Sequence, residues 1–162
     1  MNTTLTLPTP QLDLVLQTPA ETLAWVETLP PADRAEVSPD WIERVKQTQS
    51  GNVWALAFVM MERSSGSNVG GCGFKGPPNT DGAVEIAYGV DEPHRCRGYA
   101  TQAAEALTAY ALANDLVLVV RAHTRAENDA SARTLTKCGF TRLGEVIDPE
   151  DGPVIRWERR RN

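Results

Sequence analysis

From residue 12 the chain alternates apolar and polar side chains, Leu-Asp-Leu-Val-Leu, and then changes period. Alternation places one face of an extended segment against a core, so residues 12–16 are predicted to form a strand. In residues 19–29, PAETLAWVETL, the apolar positions move to helical spacing, and Pro19 stands where a first helical turn accepts it. Pro30 and Pro31 interrupt that pattern. SPDWIERVKQ then restarts it, with Ser38 as N-cap, Pro39 in the first turn, and Trp41, Ile42 and Val45 on one side. VWALAFVMM (53–61) and VGGCGF (69–74) read as strands joined through the turn SSGSN. A third strand, AVEIAYGV (83–90), follows the loop PPNTDG.

After the turn-like DEP the period returns to that of a helix, from Gly98 to about Asn114. Residues 116–122, LVLVVRA, are apolar through their first five positions, the pattern of a strand covered on both faces. ENDASARTLTKCGF reads as a short helix capped by Asn128 and closed by Gly139. Finally FTRLGEVI and PVIRWERR flank DPEDG and form a hairpin. A helix joining strands 83–90 and 116–122 forces those two to run parallel, whereas hairpins elsewhere are antiparallel. The expected architecture is therefore α/β, a mixed and mostly antiparallel sheet with a central parallel pair and helices on both faces.

Composition narrows the options. At 162 residues the chain is expected to form one domain, 1–162. Its net charge of −5 argues against a general nucleic-acid or anionic-membrane binder, so neither is expected as a partner. Cys72, Cys96 and Cys138 form no C-x-x-C pair, and with two distant histidines they give no metal signal. Free thiols, the lack of a signal-peptide pattern and the lack of a long apolar run together give the expectation of a cytoplasmic protein. The four arginines of the closing RWERRR read as the solvated end of a last strand, with a docking patch as the alternative.

Against that acidic background, Arg95, Arg97 and Gly98 stand together where a strand gives way to a helix. A helix start presents unpaired N–H groups and the positive end of the dipole, and Gly98 and Ala100 leave room for a ligand to approach. The N–H groups from Arg97 to Thr101 can converge on a polyanion; the alternative is an ordinary helix start with two solvated arginines. A second glycine pattern, Gly71-Cys-Gly-Phe-Lys-Gly76, matches the dinucleotide fingerprint in letters only. Pro77 and Pro78 follow it, so no helix starts there.

Arg95-Cys-Arg-Gly98-Tyr-Ala100 resembles the [Q/R]-x-x-G-x-[G/A] motif of the GNAT N-acetyltransferases. Downstream, ENDASARTLTKCGF resembles the N-x-x-S…G-F segment of their ribosomal-protein N-terminal acetyltransferase branch. The resemblance implies acetyl-CoA as co-substrate, no metal, and a primary amine as acceptor, either a protein N-terminus or a small molecule. It implies that Arg95, Cys96, Arg97, Gly98, Tyr99, Ala100 and Thr101 hold the pyrophosphate. It places the main chain of Tyr88, Gly89 and Val90 along the pantetheine, where strand 83–90 splays from its neighbour, and Asn128 and Ser131 on the coenzyme A arm. Main-chain donors there orient the thioester and stabilise its oxyanion.

Transfer to an amine needs a neutral nitrogen, hence a proton acceptor. By the same resemblance Glu85 is the candidate base; its alternation away from Val84, Ile86 and Tyr88 also suits a surface or salt-bridged glutamate. The family's usual acid is a tyrosine four residues before the G-F pair, and here that position is Leu135. Ser131, one turn after Asn128, is the catalytic candidate for bonding the departing sulfur, with a plain helix-surface serine as the alternative. His94 and His123 have side chains suited to shuttling protons, with a structural histidine as the favoured reading. The expected activity is direct acetyl transfer by a monomer or homodimer. The competing reading is a non-catalytic coenzyme A sensor or scaffold on the same fold, which the loss of the tyrosine keeps open.

Overall fold

The computed structural model describes residues 4–161. Eight strands form one sheet in the order β1-β2-β3-β4-β5-β6-β8-β7. These are β1 (Thr6–Pro8), β2 (Leu12–Leu16), β3 (Phe58–Glu62), β4 (Asn68–Phe74), β5 (Ala83–Val90), β6 (Val119–Thr124), β7 (Thr141–Asp148) and β8 (Gly152–Arg160). The helices are α1 (Pro19–Thr28), α2 (Pro31–Ala35), α3 (Pro39–Gln47), α4 (Tyr99–Leu112) and α5 (Asp129–Lys137). Every neighbouring pair is antiparallel except β5 and β6, which α4 connects and which run parallel. The mixed sheet with one central parallel pair is thus present.

Helices lie on both faces. Tyr88 of β5 bonds Ser131 of α5, and α5 packs on α4, so those two helices share the face that carries Tyr88. Trp25 of α1 lies over Gly71, which pairs with Gly89 and therefore faces the other way. A Cβ at Gly71 would overlap the Trp25 indole. That contact gives the glycine of the false fingerprint a packing reason in the middle of a strand.

Three expectations need correction. The apolar run 53–61 yields a strand only from Phe58; residues 53–55 form turns and Ala57 precedes the pairing. β6 begins at Val119 rather than at Leu116, and Leu116 and Leu118 are exposed, not covered on both faces. Arg160 is solvated as expected, but the other closing arginines are tied to the chain. Arg156 donates to His123, Arg159 to the Cys138 carbonyl, and Arg161 to the carbonyls of Asn114 and Val117.

Two features fix the position of α4. Its buried face is built largely from small residues, Ala103, Ala104 and Ala111 with Leu107, which let it lie close on the sheet. At its first residue the Tyr99 hydroxyl donates to buried Glu62 at the end of β3, and Ser65 donates to the same carboxylate at 2.7 Å. The Tyr99 bond first, then that from Ser65, holds the Glu62 carboxyl below its usual range despite burial. No helix among the described residues is long and apolar enough to cross a membrane.

Candidate active site

The start of α4 is built to donate. Thr18, Ser38 and Asn128 cap α1, α3 and α5 with their side chains, but α4 begins at Gly98 with no side-chain cap. Its first intrahelical bond runs from Gln102 N–H to Gly98 C=O at 3.1 Å. The N–H groups of Tyr99, Ala100 and Thr101 therefore precede the helical ladder and point out of its end. Gly98 has φ +81°, and a side chain built there would meet nothing within 4 Å. Cys96 has φ 66°, the one non-glycine residue in that region among the described residues. Such a backbone is held in place by its surroundings and recurs where amides converge on anions.

The predicted anion residues divide by role. Arg95, Cys96 and Arg97 are exposed around the helix end. Arg95 Nε donates to the Val90 carbonyl at 2.9 Å, tying the loop to β5, and Arg97 lies 3.6 Å from Glu62. The Tyr99 side chain is committed to Glu62, leaving its amide for a ligand.

Beside this helix end the sheet opens. β5 and β6 pair at Ala83–Val119, Val84–Val120 and Glu85–Arg121, and the pairing stops there. β5 continues to Val90 with β4 alone, while β6 continues to Thr124 with β8. Lys75 N–H bonds Glu85 C=O and Asp91 N–H bonds Val69 C=O, which fixes the phase of β5. Glu85, Gly89 and Asp91 turn their amides to β4, so Tyr88 and Val90 turn theirs into the wedge. The Val90 carbonyl is used by Arg95; the amides of Tyr88 and Val90 are aimed where an extended ligand would form strand-like bonds. Gly89 contributes a different thing, since a Cβ there meets nothing and its absence keeps the exposed face low.

On the α5 side, Asn128 Oδ1 accepts the Ser131 N–H at 3.0 Å, so Asn128 is a helix cap. Ser131 Oγ stands 2.9 Å from Tyr88 Oη. The side chain of Tyr88, expected to matter only through its main chain, thus enters the site; no sequence spacing links residues 88 and 131, which only the fold brings together. Leu135 is fully buried in the core with Cys138 and Phe140. A tyrosine there would overpack the core and bury a hydroxyl. Leu135→Tyr is therefore expected to lose at least about 2 kcal/mol of stability, read from the denaturant midpoint.

On the opposite face, the last β5–β6 pair carries a charged cluster. His123 Nδ1 lies 3.0 Å from Glu85 Oε2, and Lys75 Nζ lies 3.2 Å from the same oxygen. The His123 contact is off the N–H direction, a charge contact more than an aligned hydrogen bond. Arg156 Nε donates to His123 Nε2 at 3.1 Å, which ties the ring to β8. Burial alone would raise the Glu85 pKa; His123 and Lys75 outweigh it and hold the carboxyl below its usual range. Burial would lower the Lys75 pKa, but Glu85, with smaller help from Asp151 and Asp148 of the hairpin turn, outweighs it and raises it. Glu150 of that turn accepts from Ser38 at the start of α3. No group of three or more His, Cys, Asp or Glu among the described residues is arranged to hold a metal.

An uncapped helix start thus opens beside a wedge between two parallel strands, an arrangement suited to an extended anionic ligand. The chain belongs to the GNAT acetyltransferase family: the family profile described as "Acetyltransferase (GNAT) domain" matches residues 4–141. It is 30% identical over 111 residues to a protein named Uncharacterized N-acetyltransferase YjdG from Bacillus subtilis (strain 168), covering 68% of this chain. That match spans 66% of the relative's length, just under two thirds. Among solved structures the fold is similar to RimL, a ribosomal-protein alpha-N-acetyltransferase in complex with coenzyme A (TM-score 0.72, 17% identity, covering 96% of this chain and 98% of that one). It is also similar to AAC(6')-Ib in complex with ribostamycin and coenzyme A (TM-score 0.71, 19% identity, covering 93% and 94%).

Proposed function

We propose that the protein transfers the acetyl group of acetyl-CoA directly to a primary amine, in a ternary complex. The observation that carries this is the uncapped start of α4 opening onto the β5–β6 wedge. The amides from Arg97 to Thr101, with Arg95 and Arg97, suit a pyrophosphate. The Tyr88 and Val90 amides suit the pantetheine, and we assign the Ser131 hydroxyl, which meets Tyr88 Oη at 2.9 Å, to the sulfur. Acetyl-CoA supplies the activated acyl group; every other element of the reaction is positioned by the chain.

Glu85 receives the amine's proton, and its depressed pKa bears on which amine is used. A carboxylate so acidic draws little proton from an alkyl ammonium of pKa ~10.4, only about 1 in 2,500 of which is neutral at pH 7. An α-amine of pKa ~8 is about one-tenth neutral there and needs no strong base. We therefore favour an acceptor whose amine titrates near ~8, as a peptide N-terminus does, over a lysine-like one. The carboxylates of Glu85, Asp148 and Asp151 favour an acceptor carrying further positive charge.

Thiol release from acetyl-CoA tests this with three sets of acceptors: peptides with a free N-terminus, the same peptides blocked there but containing lysine, and aminoglycosides. Turnover is expected with free N-termini and absent with the blocked set. Faster turnover of the lysine side chains would overturn the choice of acceptor. Failure of every amine in a chain that binds acetyl-CoA would overturn the activity.

A further inference from the structure

Tyr88 Oη and Ser131 Oγ are 2.9 Å apart, a distance at which one hydroxyl donates to the other. Each has a single proton. Were Ser131 the donor, it would have nothing left to offer a ligand. With Tyr88 as donor, the seryl proton is free to turn elsewhere. The phenol is the stronger donor and the alkyl hydroxyl the stronger acceptor, so the second arrangement is the favoured one. Nearby, Cys138 does not compete for either oxygen, because its thiol points to the Thr101 carbonyl at 3.7 Å. The Ser131 main chain is itself fixed by Asn128.

We propose that Tyr88 is the positioning residue for thiolate release: its hydroxyl donates to Ser131 Oγ and so aims the seryl O–H at the sulfur of coenzyme A. This rests on the acetyl-transfer reading above. As the C–N bond forms from the amine lone pair, the C–S bond breaks and its electron pair stays on sulfur. The amine proton leaves on the Glu85 side. Neither hydroxyl loses its proton. Burial pushes the Tyr88 pKa up to about 12, whereas a free thiol titrates near ~8.5, so handing the phenol proton to the thiolate is disfavoured by about three orders of magnitude. The pair instead stabilises the anion, and the Tyr88 bond polarises the seryl O–H into a better donor. A hydroxyl couple between β5 and α5 thus occupies the role for which Leu135, sealed in the core, has no group.

The test combines kinetics with a titration that needs no turnover. The pKa of the coenzyme A thiol in its complex with the protein is read from thiolate ultraviolet absorbance, for wild type, Tyr88→Phe, Ser131→Ala and the double variant. Phenylalanine keeps the ring that packs on the core, so the fold is retained. Tyr88→Phe is expected to raise the bound-thiol pKa and lower kcat about tenfold, with KM for acetyl-CoA unchanged. Ser131→Ala is expected to lower kcat by roughly 10²-fold, and the double variant to be no worse than Ser131→Ala alone. Wild-type values for Tyr88→Phe in both readouts, or fully additive losses in the double variant, would overturn the proposal. A wild-type chain that binds coenzyme A but acetylates nothing overturns the acetyl-transfer reading instead, while the thiol titration still decides on Tyr88.

Discussion

Gly98→Asp is expected to bind acetyl-CoA at least about 100-fold more weakly than wild type while remaining folded. The argument starts from the backbone. Gly98 is the N-cap of α4 at φ +81°, with open space around the position of a Cβ. Aspartate tolerates that left-handed conformation better than most residues, at a strain of about 1–2 kcal/mol. It is also a preferred N-cap, because its carboxylate accepts from the N–H groups of the first turn. Those are the amides assigned to the pyrophosphate. The substitution therefore fills the seat with an anion of its own and repels a second. Gly98→Ala separates this from strain: it carries a comparable backbone penalty, adds no charge and makes no clash. Calorimetry is expected to show that alanine keeps most of the affinity that aspartate destroys. Equal affinities for aspartate and wild type would remove the phosphate from this helix end.

The uncapped helix start and its flanking arginines were readable in the sequence because their determinants are local. A glycine, two arginines and the switch from period two to helical period lie within a few residues of one another. Strand β5 was readable to the residue for the same reason, as was the crossover that makes β6 parallel to it. What lay outside the pattern depends on distance in the chain. Three-residue β1 has too few positions to show alternation, and its partner β2 supplies the register. The apolar run before Phe58 looked extended, yet Trp54 spends its side chain edge-on against Phe74 and its backbone in a turn. In the site, residues 85, 123 and 156 meet across three strands, as residues 88 and 131 meet across a strand and a helix. Composition gave His123 no partner to distinguish it from a structural histidine, and nothing local tells a helix-surface serine from one whose hydroxyl meets a phenol.

Glu85→Gln is expected to lower kcat/KM by about 10²- to 10³-fold, by a factor that stays constant as pH rises through the pKa of the amine. Glutamine preserves the shape, and Lys75, about half exposed, loses a partner at little cost to stability. Why the deficit should be constant follows from the acidity of Glu85. His123 and Lys75 hold its pKa below the usual carboxylate range, far under that of an α-ammonium. Taking the proton from the resting ammonium is therefore a poor use of this carboxylate. The neutral fraction of the amine binds directly. Once nitrogen has attacked, its remaining proton becomes far more acidic, and a weak base suffices to collect it. In wild type and variant alike, kcat/KM should then rise tenfold per pH unit up to the amine's own pKa and level off above it. A deficit that shrinks above that pKa would show that Glu85 deprotonates the free ammonium. The acid side supplies a second check. Glu85 is charged above its lowered pKa and loses function as pH falls through it. Removing the nearby cation with Lys75→Met raises that pKa, so the acidic limb of the profile is expected to move to higher pH in the variant, with the rate near neutrality unchanged. An acidic limb that stays in place would mean that some group other than Glu85 sets it.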